Sequence, residues 1–378
     1  MPITISPVRS KRDLDTFIRL VWPLYKRDPN WVPPVIADRR KLLDRTRNPF
    51  YQHAEMELFI ARRDGEPVGR IAAIINRNHN EEHGDRLGFF GFFESVNETA
   101  VAHPLLAAAE SWLAERGMTG MRGPVNPSMN DEAGLLVEGF DDPPNILMTY
   151  NPKYYSALIE SFGLTGVKDL YAYWLPAGDF ITPKLERVQT RVRERDGVTI
   201  RTADFKPKSA FQRDIETIRS IYNQAWIPTW GFVKMTDAEF NFAAADLRQI
   251  AERDFVIFAE KDGRAVGFAL GLPDINQALI DNRGGGMIGA GLRLLLGKKK
   301  IKRGRIVILG VLPEFQRRGV DSVLYYEIGT RMVNGHGYVG GEASWILEDN
   351  EMMNRAAKLL GGRVYKTYRL YEKTMNKN

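Results

Sequence analysis

The chain of 378 residues contains no cysteine. Disulfides, thiolate metal sites and thiol nucleophiles are therefore excluded. Histidine is scarce, with 5 copies, and no spacing among His and Ser supports a nucleophilic triad. No uncharged apolar run reaches the roughly 20 residues needed to cross a bilayer. The opening MPITISPVRSKRDLD has no apolar core of a signal peptide. These absences point to a soluble, cytoplasmic protein. What is present is ordinary globular material, 44% hydrophobic and 26% charged, enough for two domains. The formal charge of +6 suits anionic ligands such as phosphate esters, and also nucleic acid or lipid surfaces.

The stretch that organises the chain is Ile306 to Val333, IVILGVLPEFQRRGVDSVLYYEIGTRMV. Ile306 to Val311 is short and β-branched, as in a covered strand. Pro313 has no N–H to donate and ends strand pairing. Val320, Val323, Leu324, Ile328 and Met332 recur at helical spacing. Between strand and helix stand Gln316, Arg317, Arg318 and Gly319. The first amides of a helix lack partners and carry partial positive charge, so this turn suits a phosphate. Gly319 permits close approach, and two arginines add charge. An ordinary connection with solvated arginines is the competing reading.

This stretch resembles the acyl-CoA motif of the GCN5-related N-acetyltransferase (GNAT) superfamily. Gln316 and Gly319 match that motif, as do Val311, Pro313 and Glu314 before it; Asp321 departs from its small residue. Asn350 to Gly361, NEMMNRAAKLLG, resembles the second family motif, and Tyr365 to Lys373 the last strand. The resemblance covers roughly Val198 to Lys373. It implies an α/β fold with mixed sheets, and an acyl-CoA, acetyl-CoA first, as co-substrate without a metal. The donor would lie against Leu309 and Val311, its diphosphate at Gln316, Arg317, Arg318, Gly319, Val320 and Asp321. Pantetheine would run toward Tyr338 to Trp345, and Asn350 would start a helix near the thioester.

An internal duplication is also visible. FIARRDGEPVGR from Phe59 matches FAEKDGRAVGF from Phe258, and Asn151 to Gly163 corresponds to Asn350 to Gly362. The expected organisation is two tandem GNAT-like domains: 1–178, an exposed linker helix within 179–197, and 198–378 with the acyl-CoA site. In the first half a helix is expected over Asp13 to Tyr25 and another over Leu105 to Arg116. The first strand-to-helix turn, Glu94 to His103, has no Gly or Arg, and its glutamates would repel a diphosphate.

Acceptor contacts are less defined. Asn126, Asn130, Asp131 and Glu132 lie in a long polar connection, Arg122 to Tyr150, which either meets an amine or is a solvated loop. Trp226, Trp230 and Phe232 either floor the acceptor site or fill core. Asn276 to Arg305 is an insertion, apolar over Met287 to Leu296 and basic over Lys298 to Arg305. It either meets an anionic membrane or an apolar acceptor, or packs on the first half with its lysines in water. Gly284, Gly286 and Gly289 spell GxGxxG without a preceding strand or acidic partner. His79 to His83, HNEEH, matches a zinc pattern but reads as solvated hairpin residues.

The reaction implied is direct attack by an amine, small-molecule or peptide, on the thioester, so the protein positions and accepts a proton. The tyrosine many relatives use as acid is Ala357, and Ile306 to Val311 carries no Glu. Glu342 on the next strand and Glu348 beyond it are the nearest carboxylates; for Glu342 the alternative is a solvent-facing strand residue. Asp321 either favours its helix N-terminus or opposes a phosphate. Alternatives are a non-catalytic module binding a CoA ester or an anionic surface, and an aminoacyl-tRNA-dependent transferase. The retained CoA turn argues against the last.

Overall fold

A computed structural model describes residues 2–226 and 229–375. It divides the chain into two compact units, each discontinuous in sequence. The first holds residues 1–170, Leu279–Arg293 and Lys366–Asn378; the second holds Tyr171–Ala278 and Leu294–Tyr365. The expected boundaries at 178 and 198 therefore differ from those found. Part of the insertion and the end of the last strand count with the first unit.

The first unit contains β1 (Ile3–Pro7), β2 (Ala54–Arg63), β3 (Glu66–Asn76), β4 (Leu87–Ser95), β5 (Gly120–Gly123) and β6 (Leu135–Glu138). Its helices are α1 (Lys11–Arg19), α2 (Val21–Tyr25), α3 (Ile36–Leu42), α4 (Arg77–His83), α5 (Thr99–Ala114) and α6 (Tyr155–Ser161). β1 to β4 pair antiparallel in order, and β5 lies parallel to β4. α5 packs Val101, Ala102, Leu105, Leu106, Ala109 and Leu113 into the sheet's core. The helix expected over Asp13 to Tyr25 is in fact two. Ser10 and Asp13 form a reciprocal cap that starts α1 at Lys11. α5 begins six residues earlier than expected, running through Pro104.

β7 (Thr165–Pro176) leads into the second unit, with α7 (Ala177–Phe180), α8 (Pro183–Asp196) and β8 (Thr199–Thr202). α9 (Lys208–Ala225), α10 (Asp237–Ile250), β9 (Val256–Lys261), β10 (Arg264–Pro273), α11 (Asn276–Leu279) and α12 (Met287–Gly297) follow. Then come β11 (Arg303–Val311), α13 (Val320–Thr330), β12 (Gly340–Leu347), α14 (Glu351–Leu359) and β13 (Arg363–Thr374). β8 to β11 pair antiparallel in order, and β12 lies parallel to β11.

The two units repeat one design. Asp64-Gly65 and Asp262-Gly263 all take positive φ, the two-residue hairpin turn that matches strand twist. A register shift flanks each turn, between Ala61 and Arg62 before the first and between Ala265 and Gly267 after the second. The linker helix α8 is not simply exposed, as its composition had suggested. Leu185, Gln189, Val192 and Asp196 are buried at spacings of four, three and four, one face of a helix.

Candidate active site

In the second unit β11 and β12 pair only from Arg303 to Ile306 and from Gly340 to Ala343. Beyond that point the register ends, while both strands continue. β11 also slips against β10 between Leu270 and Gly271, which skips Val307. Val307, Ile308 and Leu309 are partly buried in mid-strand, Val307 and Ile308 against the unit's core, whereas Val311 is buried. Trp226 closes one side. A Cβ on Gly310 would lie 2.6 Å from its ring, so only glycine admits the indole there. Trp226 packs against Tyr222, 4.9 Å between ring centres, and Phe232 is buried. Trp230 is half-buried. Residues 227 and 228 of the WIPTWGF segment lie outside the described residues.

Just before the strands part, Arg305 stands in register with Glu342. Their charged groups are 3.5 Å apart with almost no exposed surface. Arg305 Nε donates to Ser344 Oγ at 3.0 Å, and Ser344 Oγ donates to Glu342 Oε1 at 2.5 Å. The Tyr365 hydroxyl donates to Glu342 Oε2. Glu342 is thus buried and paired, which corrects the solvent-facing alternative. Glu348 is exposed, one residue past β12.

The turn after β11 is built without side-chain caps. Pro313–Phe315 form a 3-10 turn, and Gln316 Nε2 donates to the Val311 carbonyl at 3.1 Å. Arg317 takes φ 60° and Gly319 φ 87°, the left-handed region where glycine is at ease. Among the described residues the amides of Arg317, Arg318 and Gly319 donate to no backbone acceptor. They fit a phosphate in that respect. Arg318 is not simply solvated: its Nη2 meets Asp196 Oδ1 at 2.8 Å. Arg195 in turn donates to the Arg318 carbonyl at 2.7 Å. The Arg195 hydrogen bond, then that of Arg318, holds the Asp196 carboxyl down at about 2. Burial raises the Asp321 carboxyl, against the amides of Ser322 and Asp321 itself. Val320 is buried in the core of α13.

α14 begins at Asn350, whose side chain accepts the Met353 amide at 3.1 Å. Asn354, not singled out from the sequence, does more. Its Nδ2 donates to the carbonyls of Leu347, Glu348 and Asn350, and its Oδ1 accepts from Tyr173 at 2.8 Å. It ties the end of β12 to α14; its one signal is a buried-type asparagine inside a helical pattern.

The first unit carries the same parting and fills it. β4 and β5 pair only from Leu87 to Phe89. Past that, Val125 donates its amide to Phe90 O at 2.9 Å, and Asn126 Oδ1 accepts the Phe92 amide at 2.6 Å. A Cβ on Gly91 would lie 1.7 Å from the Val125 carbonyl. Chain occupies the gap. Glu94 does not face solvent, as a repelling charge would: it accepts from Tyr25 at 2.9 Å and Tyr155 at 2.7 Å, beside Arg70 at 3.5 Å. Burial pushes its carboxyl up, and Arg70 opposes that.

The polar loop of this unit is largely self-bonded. Asn126 Nδ2 donates to Glu132, which pairs with Arg39 at 2.6 Å. Asp131 accepts from Ser128, and the Asn130 amide donates to Ser128 Oγ. HNEEH forms α4, not solvated hairpin as expected. His79 is 1% exposed and burial, then His83, lowers its pKa to about 3. No group of three or more metal-binding side chains lies together among the described residues. No helix among them is long and apolar enough to cross a membrane.

No family model matches the chain. It is 37% identical over 380 residues to a bacterial ceramide synthase of Caulobacter vibrioides, covering 99% of this chain and 98% of that one. It is 35% identical over 371 residues to protein YghO of Escherichia coli K12, covering 96% and 93%. A tandem GNAT protein from the clavulanic acid biosynthesis pathway superposes with a TM-score of 0.58 at 13% identity, over 100% of this chain and 99% of that one. The chain belongs to the family of the bacterial ceramide synthase and YghO, and its fold is that of the tandem GNAT proteins.

Proposed function

We propose that the protein is an acyl-CoA-dependent N-acyltransferase that joins a fatty acyl group to the amine of a sphingoid-type base, working from its second unit. The observation that carries this reading is the parting of β11 from β12 beyond Ile306 and Ala343. It leaves the edge of β11 from Val307 to Leu309 without pairing to β12, at a place the first unit fills with Val125 and Asn126. The acceptor class rests on the relative named bacterial ceramide synthase, since a ceramide is an N-acylated sphingoid base. The apolar wall of Trp226, Tyr222 and Ile308 supports an acceptor or acyl chain longer than acetyl.

In this reading the diphosphate meets the free amides of Arg317 to Gly319. The amine nitrogen attacks the thioester carbonyl; the C–N bond forms, the C–S bond breaks, and CoA leaves as its thiolate, which then takes the proton released by the nitrogen back from Glu342 through Tyr365. The nitrogen's surplus proton passes to Tyr365 Oη as the Tyr365 proton moves to Glu342. Glu342 is the carboxylate nearest the parting point, and Arg305 holds it in place. Glu348, at the open end of β12, is the alternative acceptor.

The test is thiol release from acetyl-CoA to palmitoyl-CoA with sphinganine, with the amide identified by mass spectrometry. The protein adds no thiol background, having no cysteine. Turnover with long acyl chains and a sphingoid amine is expected. No amide from any acyl-CoA in the series would refute the reading, and sustained turnover excludes a passive CoA-binding module.

A further inference from the structure

α12 is built inside out for a protein in water. At 100° per residue, Met287, Leu295, Ile288, Leu292 and Leu296 fall within about half the helix circumference. All five are exposed, by 65%, 77%, 81%, 55% and 78%. They are five of the twelve large apolar side chains exposed among the described residues. The inward side carries the small Ala290, which is buried. A helix packed on a core shows the opposite polarity.

The charge around it has one sign. Residues 282–313 contain no Asp or Glu. Of the basic run Lys298 to Arg305, Lys298 pairs with Glu252 at 2.7 Å, Arg303 lies over Trp174, and Arg305 is buried. Lys299, Lys300 and Lys302 remain, exposed and without an ion pair among the described residues. The base of the excursion is fixed: Trp22 Nε1 donates to the Arg283 carbonyl at 2.6 Å, and the Ile36 amide to Gly285 O at 2.9 Å.

We propose that α12 docks on an anionic bilayer surface. Its apolar face enters the interface between headgroups and acyl chains, and Lys299, Lys300 and Lys302 meet the headgroup phosphates. Eleven residues span about 16 Å, too short to cross the hydrocarbon core, so the helix lies in the plane. The charge selects this occupant over a second copy, because a two-fold contact through this face brings two basic flanks together. The inference is independent of the proposed reaction, since binding is read without turnover.

The experiment is co-sedimentation of the full chain with phosphatidylcholine vesicles, with and without phosphatidylglycerol. Binding is expected with phosphatidylglycerol and should weaken as salt is raised. Lys299→Ala/Lys300→Ala/Lys302→Ala should weaken it about a hundredfold. Ile288→Ser/Leu295→Ser should weaken it at least about tenfold. Equal binding by the parent and either variant overturns the proposal. So does a parent that self-associates through this face without binding vesicles. A second readout does not depend on variant stability. Because the chain lacks cysteine, Leu295→Cys can carry a single environment-sensitive fluorophore. Its emission should shift blue with anionic vesicles; unchanged emission overturns the proposal.

Discussion

Asp196, the last residue of the linker helix, holds Arg318, Oδ1 to Nη2 at 2.8 Å, while its neighbour Arg195 donates to the Arg318 carbonyl. The turn proposed to meet the diphosphate is therefore braced from α8. Val192 adds the contact that keeps residue 319 glycine, since a Cβ there would lie 2.8 Å from its methyl. The brace has a pH signature. A carboxyl lowered from 3.8 to about 2 gives stability that is fully present above 3.8 and lost as pH falls through 2. Asp196→Asn should lower the urea midpoint at pH 5 to 8, and the two curves should converge below pH 2. A gap that persists at low pH would show that the pairing is not the cause.

Arg317 gives a separable test of the turn. It holds φ 60° without being glycine, a conformation that costs on the order of 1 kcal/mol. Arg317→Gly should raise the melting midpoint slightly. It should also weaken acyl-CoA binding about fivefold by removing one exposed cation, about 1 kcal/mol. Calorimetry showing unchanged affinity would remove Arg317 from the site.

Arg305 and Glu342 predict a large stability effect. Glu342→Ala leaves a buried guanidinium unpaired and should cost about 3–5 kcal/mol by urea unfolding. Tyr365→Phe removes one hydrogen bond to the same carboxylate and should cost about 1.5–3 kcal/mol. The proton route predicts more: the folded Tyr365→Phe protein should lose at least about tenfold in kcat with KM little changed. A kcat equal to the parent would leave Glu342 a structural anchor.

Much of the fold is legible in the sequence because local rules suffice for it. Asp-Gly at 64–65 and 262–263 announces both hairpins, since few residue pairs tolerate two positive φ angles. The strand, turn and helix over 306–333 follow from pattern and Gly319. What the sequence hides depends on partners distant along the chain. Glu342 is buried by Arg305 and Tyr365, neither adjacent to it. The inner face of α8 includes Gln189 and Asp196, so an apolar count misses it. The closure of the first unit rests on backbone atoms of Val125 and a side chain of Asn126, which no spacing reports.

Asp321 should show the opposite pH signature from Asp196. Its carboxyl is raised above 3.8 by burial, so the folded state favours the protonated form. Its charge costs stability at neutral pH, and that cost vanishes below 3.8. Asp321→Asn should therefore raise the melting midpoint at pH 7, with the gain shrinking as pH falls to 3. At the proposed diphosphate site the same carboxylate would oppose a phosphate held by the amides of Arg317 to Gly319. Removing it should tighten acyl-CoA binding about tenfold, about 1.4 kcal/mol, at pH 7 and less at lower pH. Tightening without the stability gain would mean the carboxyl is solvated when no donor is bound. Weakened binding would assign Asp321 to donor recognition, through its hold on the first amides of α13.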